Sequence, residues 1–249
     1  MRILALESSG LVASVAIIED DNLLAEYSTN VEMKHSETLL PMLEEIVKVT
    51  KLDLNSIEAI ALSNGPGSFT GLRIGSATAK GMGFALGKPI IPVPTLEGLV
   101  YNCYGGSGIM CPIMDARRSE VYTALYQFVI KKGTKKDICC KLRVLLEPQA
   151  IGIMDLIAEI DKLGKHVTFI GDGIPVYKDI IKEKLKSPAS FAKANQNRQR
   201  AASIAVRGLE LYHEGKYIDS DDEKPEYFRK TQPEREAEEK EKAENIEKK

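Results

Sequence analysis

The sequence predicts an α/β protein of two lobes, each a mixed sheet with helices on its faces, the second lobe reduced. Three observations carry this. Up to about residue 100 the chain runs strand, strand, strand, helix, strand, helix, strand. The same order returns less completely after residue 108. The carboxylate turn Glu7-Ser8-Ser9 is echoed by Asp115-Ala116-Arg117, and the glycine loop Asn64 to Gly67 by Gly171-Asp172-Gly173. A three-strand meander followed by crossover helices gives a sheet of mixed direction.

Residues 2–6 (RILAL) form a continuous apolar run that reads as a buried strand. Residues 11–18 and 22–28 follow, joined as hairpins by the polar turns 7–10 and 19–22. A helix is expected over about 36–50, with Ser36 as N-cap and Glu37 in the first turn. Pro41 should kink it or mark its true start. A strand at 57–62 leads through the glycine loop into a helix at 69–86, which Gly87 ends before a strand at 90–93. In the second half, strands are expected at 109–114, 120–130, 138–146 and 167–170, and helices at 148–163 and 175–184. Residues 186–200 are polar and irregular, and a helix follows at 201–214. The boundary is expected near Tyr104–Gly108. This gives a first lobe over 1–104, a second over 105–230, and a charged tail over 231–249 that is disordered or a frayed helix. Two such lobes are the plan of the actin and Hsp70-type ATPases, the ASKHA or RNase H-like architecture.

Composition limits the function. Of 249 residues, 43% are hydrophobic and 28% charged, which excludes a wholly disordered chain. Net charge is -2, and without the last 16 residues the body holds 29 charges of each sign. A neutral body without tryptophan is a poor stand-alone nucleic-acid binder. Apolar runs reach about ten residues, short of the roughly 20 that span a membrane, and Glu7 interrupts the N-terminal run, so no signal peptide is expected. The four cysteines form no CxxC pair, which fits a reduced, cytoplasmic setting. The three histidines are too scattered for a metal motif.

The strongest local motif is Gly65-Pro66-Gly67-Ser68-Phe69-Thr70-Gly71-Leu72-Arg73-Ile74-Gly75, between a strand and a helix. It could cradle a phosphate on backbone amides at the helix start, or be a tight turn into a closely packed helix. It is neither a Walker A loop nor GxGxxG. Gly71, Gly75, Ala79 and Gly83 recur every four residues, with a second row at Ala77, Gly81 and Ala85. Interior glycines cost about 1 kcal/mol each against alanine, so they need a packing reason. The preceding helix is apolar at Leu39, Leu40, Met42, Leu43, Ile46, Val47 and Val49, wider than one face. Either a partner covers the surplus, or the helix is sandwiched within its own domain. The expected interface comprises Leu39, Met42, Leu43, Ile46, Gly71, Gly75, Thr78, Ala79, Met82 and Gly83. Glu7, Ser8, Gly65, Gly67 and Asp115 are candidate nucleotide or phosphate contacts, although acids and serines are also ordinary turn chemistry. Arg117 and Arg118 are possible ligands, His35 reads as a capping or surface residue, and no catalytic triad or metal site is expected.

Several segments resemble the TsaB (YeaZ) family. They are Met1 to Ser9, Ser14-Val15-Ala16, His35-Ser36-Glu37 with Leu39-Leu40-Pro41, and the Gly65–Gly75 run. Lys80-Gly81, Asp115-Ala116-Arg117-Arg118 with Glu120-Val121-Tyr122, Gly171-Asp172-Gly173 and Pro225-Glu226-Tyr227-Phe228-Arg229 complete the set. The likeness is collinear to about residue 230. It implies an actin/Hsp70-like fold and a part in making N6-threonylcarbamoyladenosine (t6A) in tRNAs that read ANN codons. In that pathway TsaC makes threonylcarbamoyl-AMP, and the metal-bearing paralogue TsaD transfers the threonylcarbamoyl group to tRNA. By the resemblance this chain pairs with TsaD through first-lobe helices, is joined by the ATPase TsaE, and forms a homodimer when alone. It meets tRNA through the complex and has no chemistry of its own, ATP and a metal ion belonging to its partners. The paralogue's HxxxH pattern is absent here. The sequence departs from the family at Glu7, where Asp is usual, and in the tail after about residue 233.

Overall fold

A computed structural model describes residues 1–31, 35–132 and 138–229. The expected charged tail, 231–249, lies outside the described residues.

The first sheet contains β1 (Arg2–Glu7), β2 (Ala13–Glu19), β3 (Asn22–Thr29), β4 (Ala59–Gly65) and β5 (Ile90–Pro94), in the order β3-β2-β1-β4-β5. β1 is antiparallel to β2 and parallel to β4. The second contains β6 (Ile109–Asp115), β7 (Glu120–Lys132), β8 (Ile138–Gly152), β9 (Val167–Ile170) and β10 (Ala189–Phe191), in the order β10-β9-β6-β7-β8. Reversed, that is the order of the first sheet, with the same parallel and antiparallel partners. The repeat of topology therefore extends beyond the turns that suggested it.

Helices cover the first sheet on both sides, which is why β1 is apolar at successive positions. Leu4, Leu6, Val15 and Leu62 meet Leu39, Leu43 and Ile46 of α1 (His35–Thr50) and Ala79 of α2 (Phe69–Leu86). On the other face Ile3, Ala5, Ala16, Ala61 and Val93 meet Ile204, Ala205 and Leu211 of α6 (Ala201–His213). The alanines on that face admit α6 closely: a methyl added at Gly208 would lie 2.8 Å from the Ala61 Cβ.

The second sheet is covered on one face by α4 (Ile153–Leu163) and α5 (Ile174–Lys184). The other face packs on α3 (Thr95–Tyr101), whose Leu96, Leu99 and Tyr101 join Met110, Met114 and Tyr126.

Several expectations are corrected. The second lobe does not run to residue 230. α6 packs on the first sheet, and the segment after it returns to β5, where Ile218 and Ile90 exchange both backbone hydrogen bonds at 2.9 Å. The helix expected from Pro148 starts at Ile153, because β8 continues along β7 to the pair Glu120↔Gly152. Pro148 is tolerated there because β8 is an edge strand. α1 begins at His35, so Ser36 is not its cap, and the helix runs through the exposed Pro41. α3 and β10 were not foreseen. Gly87 ends α2 as expected, at φ 63°.

Candidate functional site

Two places merit attention: the cleft between the lobes, and the outward face of α1 and α2. The cleft encloses about 720 Å³ and is lined by Ser9, Gly10, His35, Gly67 and Ser68 from the first lobe and Asp115, Arg117, Tyr122 and Asp172 from the second. The C-terminal ends of β1 and β6 place Glu7 and Asp115 beside it. The two acids are differently housed. Glu7 is 1% exposed, and its Oε1 accepts the Ser9 amide and hydroxyl, both at 2.6 Å. Its Oε2 has no hydrogen-bond partner in the structure. Asp115 Oδ1 accepts from the Arg117 amide at 2.9 Å and the Tyr177 hydroxyl at 3.0 Å, and Arg117 Nη1 lies 3.3 Å from Oδ2. Asp172 Oδ2 accepts from Gln199 Nε2 at 3.3 Å, leaving Oδ1 without a partner.

Burial dominates the titration of Glu7 and pushes it from its ordinary 4.5 up to about 7, against the opposing Ser9 hydrogen bonds. Burial raises Asp172 as well. Between pH 4.5 and about 7 the folded chain keeps a Glu7 proton that the unfolded chain has released. Stability should therefore fall as pH rises through that window and stay lower above it. Glu7→Gln, an isostere of the neutral carboxyl, should remove this fall. At about pH 8 it should exceed the parent by about 3 kcal/mol, because each tenfold change in acidity is worth roughly 1.4 kcal/mol. Denaturant melts of both proteins at pH 5 and pH 8 check it; equal pH slopes would contradict the assignment.

The glycine motif is a packing device. The Ser68 amide donates to Ser9 O at 2.6 Å, and the Ser68 hydroxyl caps α2 by accepting from the Gly71 amide at 3.3 Å. The Ser8 hydroxyl donates to Gly71 O at 2.9 Å. A Cβ at Gly67 would collide with the Ser9 carbonyl, one at Gly71 with the Ser8 carbonyl, and one at Gly65 with the Glu226 carbonyl. Gly67 and Asp115 line the cleft as expected of ligand contacts. Glu7, Ser8 and Gly65 do not: they are buried beneath it and engaged with their own chain. Ser9, which with Ser8 could donate to a phosphate, lines the cleft; His35, Asp172 and Gln199 were not chosen as contacts. The His35 ring is no cap of α1; its Nε2 donates to Gly10 O at 2.8 Å, and it packs beside Gly71.

The expected interface needs a larger correction. Leu39, Leu43, Ile46, Gly71, Gly75, Ala79 and Gly83 are buried against the chain itself. A methyl at Gly75 would meet the Ser8 hydroxyl, with Leu62 Cδ1 at 3.0 Å, and one at Gly83 would lie 2.8 Å from Ser220 Cβ. Met42, Thr78 and Met82 are half-buried. The bare face of α2 is the other small row, Ala77, Gly81 and Ala85, with Phe84 78% exposed among them. Helical spacing puts Arg73, Ala77, Gly81 and Phe84 in one line. Nothing lies within 4 Å of a methyl placed on Gly81. On α1, Leu40 is 49% exposed.

Two sheets of one topology, joined around a cleft, define a two-lobed protein of the actin/Hsp70-like class. A family model for TsaD, described as tRNA N6-adenosine threonylcarbamoyltransferase, matches residues 23–236. The chain is 30% identical over 210 residues to the tRNA threonylcarbamoyladenosine biosynthesis protein TsaB of Bacillus subtilis, covering 84% of this chain and 88% of that one. It is 36% identical over 129 residues to TsaB of Escherichia coli, covering 51% and 55%. The solved structure of YeaZ from Pseudomonas aeruginosa shares the fold at a TM-score of 0.73 and 23% identity, over 91% of this chain and 100% of that one. The chain belongs to the TsaB (YeaZ) family, and membership carries a role in t6A biosynthesis. Among the described residues no helix is long and apolar enough to cross a membrane, and no group of three or more His, Cys, Asp or Glu could hold a metal ion.

Proposed function

We propose that this chain is the non-catalytic pairing and activating subunit of the t6A machinery, docked on the transferase TsaD through the outward row of α2. The observation that carries the reading is the bare flank of Ala77, Gly81 and Phe84 on a helix otherwise seated in its own lobe. Small residues let a second helix approach closely, and an exposed aromatic supplies an anchor. In the absence of TsaD the same flank would pair two copies of this chain. ATP and a metal ion belong to the partner subunits, TsaE joins the pair, TsaC supplies the activated group, and tRNA is met through the complex. The test is a tRNA modification assay reconstituted with TsaC, TsaD and TsaE, with and without this chain. The product is expected only with all four; full modification without this chain, or modification by this chain in place of TsaD, would refute the role.

A second reading, a nucleotide-dependent ATPase or kinase, rests on the cleft and its lining Gly67, Ser68 and Asp115. The acid of the first turn does not support it: Glu7 is 1% exposed, bonded to Ser9 and not among the residues that line the cleft. Calorimetry of the isolated chain with Mg-ATP is expected to give no heat of binding. Micromolar affinity lost in an Asp115→Ala variant would favour the second reading.

A further inference from the structure

The chain crosses between the two sheets at 102–108 and again at 192–200. Asn102 Nδ2 donates to Gln196 O at 2.9 Å and to Arg198 O at 2.6 Å, so the two crossings lie side by side. Two adjacent crossings make one hinge, and α3 lies beside it, buried against the second sheet and tied to α6 by Arg207 Nε to Glu97 and the Ser203 hydroxyl to Asn102 Oδ1, both at 2.6 Å, so the lobes are packed together along this edge. A third tie is present, made by side chains.

After pairing with β5, the chain returns along α2 toward its N-terminus. Lys80 Nζ donates to Asp221 O at 3.1 Å and to Glu223 O at 3.2 Å, and the Ser76 hydroxyl donates to the buried Glu223 carboxylate. The Glu226 amide donates to Asn64 O at 2.8 Å, in the space that Gly65 leaves open. The next three residues then divide between the lobes. Tyr227 stays on the first, its ring 5.0 Å from Phe69 and its hydroxyl accepting from Arg73 Nε at 3.2 Å. Phe228 meets the edge of Tyr122 on β7, with ring centroids 6.2 Å apart. Arg229 donates to Ala116 O at 2.5 Å and pairs with Glu120. Ala116 and Tyr122 line the cleft and no residue of the two crossings does, so this tie borders the cleft apart from the hinge.

We propose that residues 225–229 are a clasp across the cleft, which adds to the α3 packing in holding the angle between the lobes, and that its release lets the cleft widen about the 102/196–198 hinge. The inner part of the strap, from Ile218 to Glu223, stays with the first lobe by its buried contacts. The outer part meets the second lobe through an edge-on ring contact, the Arg229 hydrogen bond to Ala116 O and a part-exposed ion pair, each individually weak. A clasp of this strength is reversible. It does not depend on the proposed function, because it rests on the geometry of this chain alone.

The test uses the full chain with spin-labelled non-canonical side chains at positions 31 and 176, where Val31 and Val176 line opposite sides of the cleft and are 53% and 58% exposed. Double electron–electron resonance distances are compared among the parent, a chain ending at Arg229 and a chain ending at Lys224. Ending at Arg229 is expected to leave the distribution unchanged. Ending at Lys224 is expected to lengthen the mean and broaden the width, with faster amide exchange at 116–122. If the shorter chain does not fold by circular dichroism, Phe228→Ala/Arg229→Ala, which leaves Glu223 in place, is measured instead with the same expectation. An unchanged distribution in a folded clasp variant would overturn the proposal, as would an equal shift on removing the tail alone.

Discussion

Gly71→Val is expected to destabilise the protein by about 3 kcal/mol or more and to lower Tm by roughly 10 °C. Helix propensity alone predicts the opposite sign, since almost any residue improves on glycine inside a helix by up to about 1 kcal/mol. Geometry reverses it. A Cβ at this position would occupy the same space as the Ser8 carbonyl oxygen, with His35 Cδ2 a further contact at 3.4 Å. Backbone cannot swing aside as a long side chain would. To seat valine, α2 must move off the β1–β2 turn, and the Ser8 hydroxyl bond to Gly71 O and the Ser68 cap to the Gly71 amide would both be lost. Gly81→Ala provides the contrast on the same helix. Nothing approaches a methyl there, so propensity governs, and a gain of about 0.5–1 kcal/mol is expected. Thermal melts of both variants check the pair. A Gly71→Val protein as stable as the parent would mean that the turn does not clamp α2.

The contrast also shows what the sequence could and could not reveal. The succession of elements along the chain and its repeat were legible because both faces of β1, β2 and β4 are covered, which leaves unbroken apolar runs bounded by turns. Both small-residue rows of α2 were legible as well, at the same spacing of four. Which row faces the chain's own turn was not, because it depends on Ser8, Leu62 and Ser220, remote in sequence. α1 posed the same difficulty: Leu39, Leu43 and Ile46 form its inward stripe, Met42 and Val47 pack at its margin, and the surplus came down to Leu40 and Val49. α6 was visible as a helix, but nothing local shows that it leaves the second lobe. The signal was the run of alanines Ala5, Ala16, Ala59 and Ala61, small enough to admit a helix on that face. In the cleft, the acid positions at the ends of β1 and β6 were legible as turn echoes. The engagement of Asp115 by Tyr177, sixty-two residues away, was not.

The other large effect is on pairing. Phe84→Asp and Gly81→Arg are each expected to weaken binding to TsaD by about a hundredfold or more, with the fold intact. Phe84 is 78% exposed and Gly81 faces open space, so neither substitution disturbs the core of the free chain. Gly81→Arg should even raise helix propensity. In the complex the same positions would be covered. A buried carboxylate without a partner costs several kcal/mol, and a guanidinium side chain on the small row would hold the two helices apart. Gly83→Leu is the informative control. Its side chain would enter the space beside Ser220 and the Lys88 carbonyl, so any loss of pairing should come with loss of stability. Calorimetric titration with TsaD, light scattering of the isolated chain and a melting curve for each variant separate the outcomes. If Phe84→Asp and Gly81→Arg melt like the parent and bind TsaD like the parent, the outward row of α2 is not the docking surface. If they melt like the parent and fail to bind, a single helix serves two masters: one small row closes the lobe on itself, and the other receives the partner.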